Sequence, residues 1–122
     1  MNIKILTWRC SLDLQFFPLI TEEELKLPLY LKSIGMWDNQ EHVNRPQGYM
    51  NFQWLHCVNG KGELIIEGKE YILAEGMGFF FHPGIRHEYY SLAKSWTTHW
   101  ISFDGIAIPV LLERPKTLSL RK

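Results

Sequence analysis

Apolar and polar residues alternate at a period of two through much of the chain between residues 29 and 103. That period belongs to strands with one buried face. Residues 51–58 give the clearest case, with Phe52, Trp54, His56 and Val58 on one face. Asn59-Gly60 is the strongest two-residue hairpin signal a sequence offers, and it predicts a return strand over residues 62–66. Glu67-Gly68 predicts a second tight turn and a strand over 69–73, and residues 74–76 turn again before a strand over 78–82. Pro83-Gly84 breaks that strand. Residues 87–92 and 96–103 complete the series. Upstream, residues 29–38 suit a strand, and residues 41–48, with Asn44, Pro46 and Gly48, read as a loop.

The ends differ. Residues 2–8 are β-prone, and residues 13–20 are apolar and close on a Pro-containing stretch. Thr21 followed by Glu22, Glu23 and Glu24 predicts a capped helix start, and Pro28 stops that helix within about two turns. After Gly105 the pattern fades into residues that include Pro109 and Pro115, expected as a partly ordered tail or linker. Short strands with frequent turns and no second helix predict an all-β fold: a small antiparallel jelly-roll barrel with a short N-terminal helical turn. The expected organisation is an arm over 1–28, a barrel over 29–105 and a tail over 106–122.

Composition narrows the function. A chain of 122 residues is one domain's worth of sequence. Aromatic residues make up 14% and concentrate between Tyr49 and Phe103, which suits a ring-lined core or pocket. Lys plus Arg balance Asp plus Glu at a net charge of zero, which argues against nucleic-acid or membrane-surface binding by this segment. Two cysteines, Cys10 and Cys57, are too few for a secreted disulfide scaffold and are expected to be reduced, in the cytoplasm. No signal-peptide pattern and no long apolar run point to secretion or the membrane.

The order of short motifs carries a resemblance. Arg45-Pro46-Gln47-Gly48-Tyr49 leads to a strand; Gly60-Lys61-Gly62-Glu63-Leu64, Gly76 with Gly78, Pro83-Gly84 and His87-Glu88-Tyr89 follow. Trp96 and His99-Trp100-Ile101-Ser102-Phe103, then Gly105, close the set. In this order, over roughly residues 27–105, the chain resembles the N-terminal cupin-type sensor domain of the arabinose-regulator (AraC) family of bacterial transcription factors. The resemblance implies a cupin barrel that binds a small effector, often a sugar. It also implies a longer protein, in which a dimerising helical region and a helix-turn-helix DNA-binding domain lie beyond this chain.

It further implies site residues. Arg45 matches an Arg that hydrogen-bonds the sugar, Tyr89 a pocket tyrosine, and Trp100 the indole on which the sugar stacks. Tyr89 and Tyr90 must point to opposite faces, and the match selects Tyr89 as inward. On the last strand Trp96, Thr98, Trp100 and Ser102 share one face, and Thr97, His99 and Ile101 the other. The arabinose sensor has a His where this chain has Thr98, so Thr98 is the expected fourth ligand contact and arabinose itself is in doubt. Surface or core roles remain open for each of these residues.

Many cupins hold a metal, and His56, His82, His87 and Glu88 raise that question. The sequence has no His-x-His, and two histidines on neighbouring strands do not complete a site. No metal and no cofactor are expected, and His87 is expected as a hydrogen-bonded structural residue beside Pro83-Gly84. Cys57 and His56 fall on opposite faces of a strand, no Gly-x-Ser-x-Gly elbow exists, and Gly60-Lys61-Gly62 reads as a hairpin, not a phosphate cradle. The expected function is therefore a non-enzymatic, cytoplasmic sensor of a small molecule, on family grounds a sugar, with DNA contact and a homodimer belonging to the full-length regulator. The N-terminal arm, with Phe16-Phe17, is a candidate cover for the pocket. An alternative is a stand-alone metal-dependent small cupin enzyme; a third reading is a carbohydrate-binding module.

Overall fold

The computed structural model describes residues 13–108 and the backbone of a strand over Ser119–Arg121. Strand β1 (Leu14–Phe16) is followed by helix α1 (Glu22–Leu25) and strand β2 (Tyr30–Trp37). Then come β3 (Val43–Arg45), β4 (Phe52–Asn59), β5 (Lys61–Ile66), β6 (Lys69–Ala74), β7 (Met77–Phe81), β8 (His87–Ser91), β9 (Thr97–Asp104) and β10 (Ser119–Arg121). They form two antiparallel sheets, one ordered β1-β2-β9-β4-β7-β10 and one ordered β3-β8-β5-β6. The all-β barrel and the short helical turn that precedes it are as the sequence predicts. Among the described residues no helix is long and apolar enough to cross a membrane. Cys10 and most of the expected tail lie outside the described residues; Ser119–Arg121, within that tail, pair with β7.

Helix α1 starts where the capping pattern places it. The Thr21 side chain accepts from Glu23 N at 3.2 Å, and Glu24 Oε1 accepts from Thr21 N at 2.9 Å. The Glu67-Gly68 turn also behaves as read. Both residues take positive φ, 49° and 86°, the geometry of a tight hairpin whose twist matches its strands, and β5 and β6 pair from Ile66↔Lys69 outward.

Two expectations are corrected. Asn59-Gly60 is not a hairpin, because β4 pairs with β7 and β9 while β5 pairs with β6 and β8. The chain changes sheets there. Gly60 has φ +85°, and a Cβ on it would lie 2.2 Å from the Ser95 carbonyl oxygen. The dipeptide thus supplies the positive φ that its sequence promises, but the strands it joins find other partners. The stretch 41–48 is not wholly loop: β3 pairs with β8 as Val43↔Tyr89, Asn44↔Glu88 and Arg45↔His87. Three residues are too short to show a period, so only the facing strand defines them.

The core lies between the sheets. Leu55 and Cys57 from β4, Leu64 from β5, Leu73 from β6, Phe81 from β7, Tyr89 from β8 and Trp96 before β9 form one buried cluster. Cross-strand pairing sets which faces turn inward: Gln53, Leu55 and Cys57 of β4 lie opposite Ser102, Trp100 and Thr98 of β9. Trp96 is fully buried and lies flat on Gly62, where a Cβ would approach its ring to 2.4 Å.

Gly62→Ala is expected to destabilise the fold by about 1–3 kcal/mol, because a fully buried indole cannot step aside for the methyl. A urea titration checks this as a lower midpoint at unchanged slope.

Candidate functional site

Strands β3, β4, β8 and β9 and the loops beside them line a cavity of about 210 Å³ that is partly open to solvent. Its walls include Gln15, Trp37, Gln40, Arg45, Tyr49, Gln53, Tyr89 and Trp100, with Glu41 and His42 also lining it. Of the four residues marked in the sequence, Arg45, Tyr89 and Trp100 line this space. Thr98 does not. It is fully buried, and its hydroxyl donates to Gln40 Oε1 at 2.7 Å. Gln40 is fixed further by its backbone N–H, which donates to the Trp96 carbonyl at 2.8 Å. Thr98 therefore acts through Gln40, a residue that the sequence pattern did not single out.

Arg45 owes its position to the β3–β8 register, which sets it directly opposite His87. Its Nη1 donates to Gln53 Oε1 at 3.0 Å and to His87 Nε2 at 3.1 Å. The guanidinium carbon lies 4.5 Å from the centre of the Tyr49 ring, a cation–π distance. The loop carrying Tyr49 is tied to the Pro83-Gly84 turn, where Gly84 N donates to the Tyr49 carbonyl at 2.9 Å. Gln53 was missed in the sequence reading. Its signal was available: a polar residue on the β4 face that also carries Leu55 and Cys57.

These contacts fix the protonation of His87. An Arg nitrogen can only donate, so Nε2 accepts, and Nδ1–H donates to the Ile85 carbonyl at 3.0 Å. The ring is a neutral Nδ1–H imidazole, and its pKa is lowered, first by burial and then by the Arg45 charge, against the opposing Ile85 hydrogen bond. Both nitrogens being committed, with a guanidinium on one of them, His87 does not fit a metal ligand. His82 sits instead against Phe52 and Phe80, and His99 faces outward opposite His56. Among the described residues no group of three or more His, Cys, Asp or Glu could hold a metal ion.

Tyr89 faces inward and is buried, with its ring parallel to His87 at 6.0 Å and edge-on to Trp96 at 6.0 Å. Burial raises its phenol pKa, and the Arg45 charge opposes that shift. Tyr90 points the other way and donates to Glu63 Oε1 at 3.1 Å. Trp100 crosses Gly35 of β2, where a Cβ would lie 2.3 Å from its ring, and its buried Nε1–H has no acceptor among the described residues. From the arm, Gln15 reaches the cavity. The Phe16-Phe17 pair does not cover it: Phe17 is 55% exposed, and Phe16 lines a separate apolar groove with Leu14, Ile34 and Met36. Aromatic faces and a cationic, hydrogen-bonding wall thus share one small interior space, which suits a polar molecule with an apolar ring face.

The fold is that of a cupin barrel, and the cavity opens between its strands. The family described as AraC-like ligand binding domain matches residues 34–119, and the chain belongs to it. Similar solved structures include oxalate decarboxylase from Bacillus subtilis, at 16% identity and a TM-score of 0.55 over 85% of this chain and 28% of that one. A cupin 2 conserved barrel domain protein from Leptotrichia buccalis gives 15% identity and a TM-score of 0.53 over 84% of this chain and 45% of that one. A conserved protein of unknown function from Streptococcus pyogenes gives 15% and 0.52 over 75% and 73%. At these identities the likeness concerns the fold, and this chain spans just over a quarter of oxalate decarboxylase. No curated protein matches the chain.

The lowered His87 pKa has a consequence for stability. As pH falls, the unfolded chain takes up the proton before the folded one does, so stability contributed by neutral His87 is complete above about pH 6.5 and declines below it. The slope cannot exceed about 1.4 kcal/mol per pH unit, the limit for one proton. Urea midpoints compared between about pH 5 and pH 8 should fall on the acid side in the wild type and change less in His87→Gln.

Proposed function

We propose that this domain is the effector-sensing part of a bacterial transcription regulator, that its effector is a sugar or sugar derivative, and that it performs no chemistry itself. DNA contact and dimerisation belong, in this reading, to regions outside the chain, and the location is cytoplasmic. The observation that carries the proposal is the convergence of Arg45, Tyr49, Tyr89 and Trp100 on one interior cavity. An indole face packs on the C–H face of a sugar ring, while Arg45 supplies donors for its oxygens. Family membership supports a binding role. Cys57, the buried thiol nearest the core, is no nucleophile: burial raises its pKa, and its Sγ is engaged with the Asn59 and Gly60 carbonyls at 3.5 and 3.4 Å.

Coupling to a regulator requires that the effector bind one state better than another. Gln15 offers such a link, because the arm strand that carries it pairs with β2 while its side chain lines the cavity. An effector touching Gln15 holds the arm to the barrel.

A thermal-shift panel of monosaccharides and divalent metals tests the reading. An effector at a hundredfold excess over its Kd adds about 2.7 kcal/mol of stability, which is a rise of several degrees in Tm. Trp100→Ala should weaken that effector roughly tenfold or more, about 1.4 kcal/mol. Stabilisation by a metal alone, bound near one equivalent, would move the protein to the enzyme class instead.

A further inference from the structure

Among the described residues Arg45 has no ion-pair partner. The ion pairs among the described residues are Lys26 with Glu23 and His42 with Glu88; neither involves Arg45. What touches the guanidinium is neutral: the Gln53 amide oxygen, the His87 lone pair, the Tyr49 face and the Tyr89 phenol. Two carboxylates lie near in the fold. Glu88 precedes Tyr89 on β8, but its side chain turns to the outer face, where His42 Nε2 holds it at 2.6 Å. Glu41 lines the cavity but is exposed to solvent, where screening leaves a carboxylate little pull on a cation inside. A half-buried guanidinium held only by neutral groups is costly unless an anion arrives. Trp100 adds a second unmatched donor in its buried Nε1–H. The cavity therefore presents one cation, hydrogen-bonding amides and an indole face.

From this we infer that the effector is an acidic sugar of the uronate class, whose carboxylate sits on the Arg45 guanidinium and whose ring lies against Trp100. The inference rests on the sensor reading above and narrows its ligand. A carboxylate can accept from Arg45 in the two-pronged geometry that its planar fork favours, and it removes the uncompensated charge. A single hydroxyl group accepts one such hydrogen bond and leaves the charge in place.

Calorimetric titration of the 122-residue chain with galacturonate and glucuronate, each against galactose and glucose, decides the matter. Acetate serves as the carboxylate without a ring. At least one uronate should bind about tenfold or more tighter than its neutral parent and tighter than acetate. The preference should vanish in Arg45→Gln and shrink as salt rises, while Trp100→Ala weakens acid and parent alike. Arg45→Lys, which keeps the cation, guards against a folding defect in Arg45→Gln: it should retain part of the preference. A parent sugar that binds as tightly as its acid, or an acid preference that survives Arg45→Gln, overturns the uronate inference and leaves the sensor reading standing. If acetate matches the uronates, the ring is not read and the inference falls as well. If the folded chain binds none of these compounds, the inference and the sugar reading fall together.

Discussion

Trp96 ties the two sheets of this barrel into one body. Its indole lies flat on Gly62 of β5 and edge-on to Tyr89 of β8, while the chain that carries it runs straight into β9 of the other sheet. Its carbonyl accepts from the Gln40 backbone. One residue therefore joins the two sheets through its side chain and holds the Gln40 loop through its carbonyl. Burying so large a ring gives a small barrel much of its apolar stabilisation. The two glycines nearby follow from it: Gly62 makes room for the ring, and Gly60 lets the chain turn between sheets past Ser95.

Beside this apolar anchor sits a polar cluster with a different logic. Arg45, Gln53 and His87 come from three strands and satisfy one another across the interior. A buried network of this kind is stable when each member has its partner and fragile when one titrates. The neutral imidazole is what allows a guanidinium to sit against it. Beside His87 Nε2 lies an arginine, while His82 packs on Phe80 and His99 lies opposite His56.

The arm belongs to this site through Gln15 and not through its phenylalanines. In an edge strand that pairs residue for residue with β2, the alternation of side chains turns Leu14 and Phe16 outward and Gln15 inward. A short strand held along one side only opens at low cost in free energy. It is therefore a suitable element for a bound molecule to favour or release.

Much of the barrel is legible in the sequence, because a period of two, positive-φ turn residues and a helix cap act over a few neighbouring residues. The Thr21 cap, the Glu67-Gly68 hairpin and the inward placement of Thr98, Trp100 and Ser102 need no distant partner to be read. The motif order further pointed to Arg45, Tyr89 and Trp100, which do meet at one cavity. What local pattern could not decide was which strand lies next to which. Asn59-Gly60 carries the signal of a hairpin, yet β4 and β5 part company there and pair in different sheets. Residues 43–45 become a strand only against β8, and that register alone sets Arg45 against His87. Thr98 has the right face but the wrong neighbour, since Gln40 comes from a loop whose position depends on Trp96. Local chemistry determined the elements and their faces; long-range pairing, driven by burial that no short window contains, decided which polar groups share the cavity.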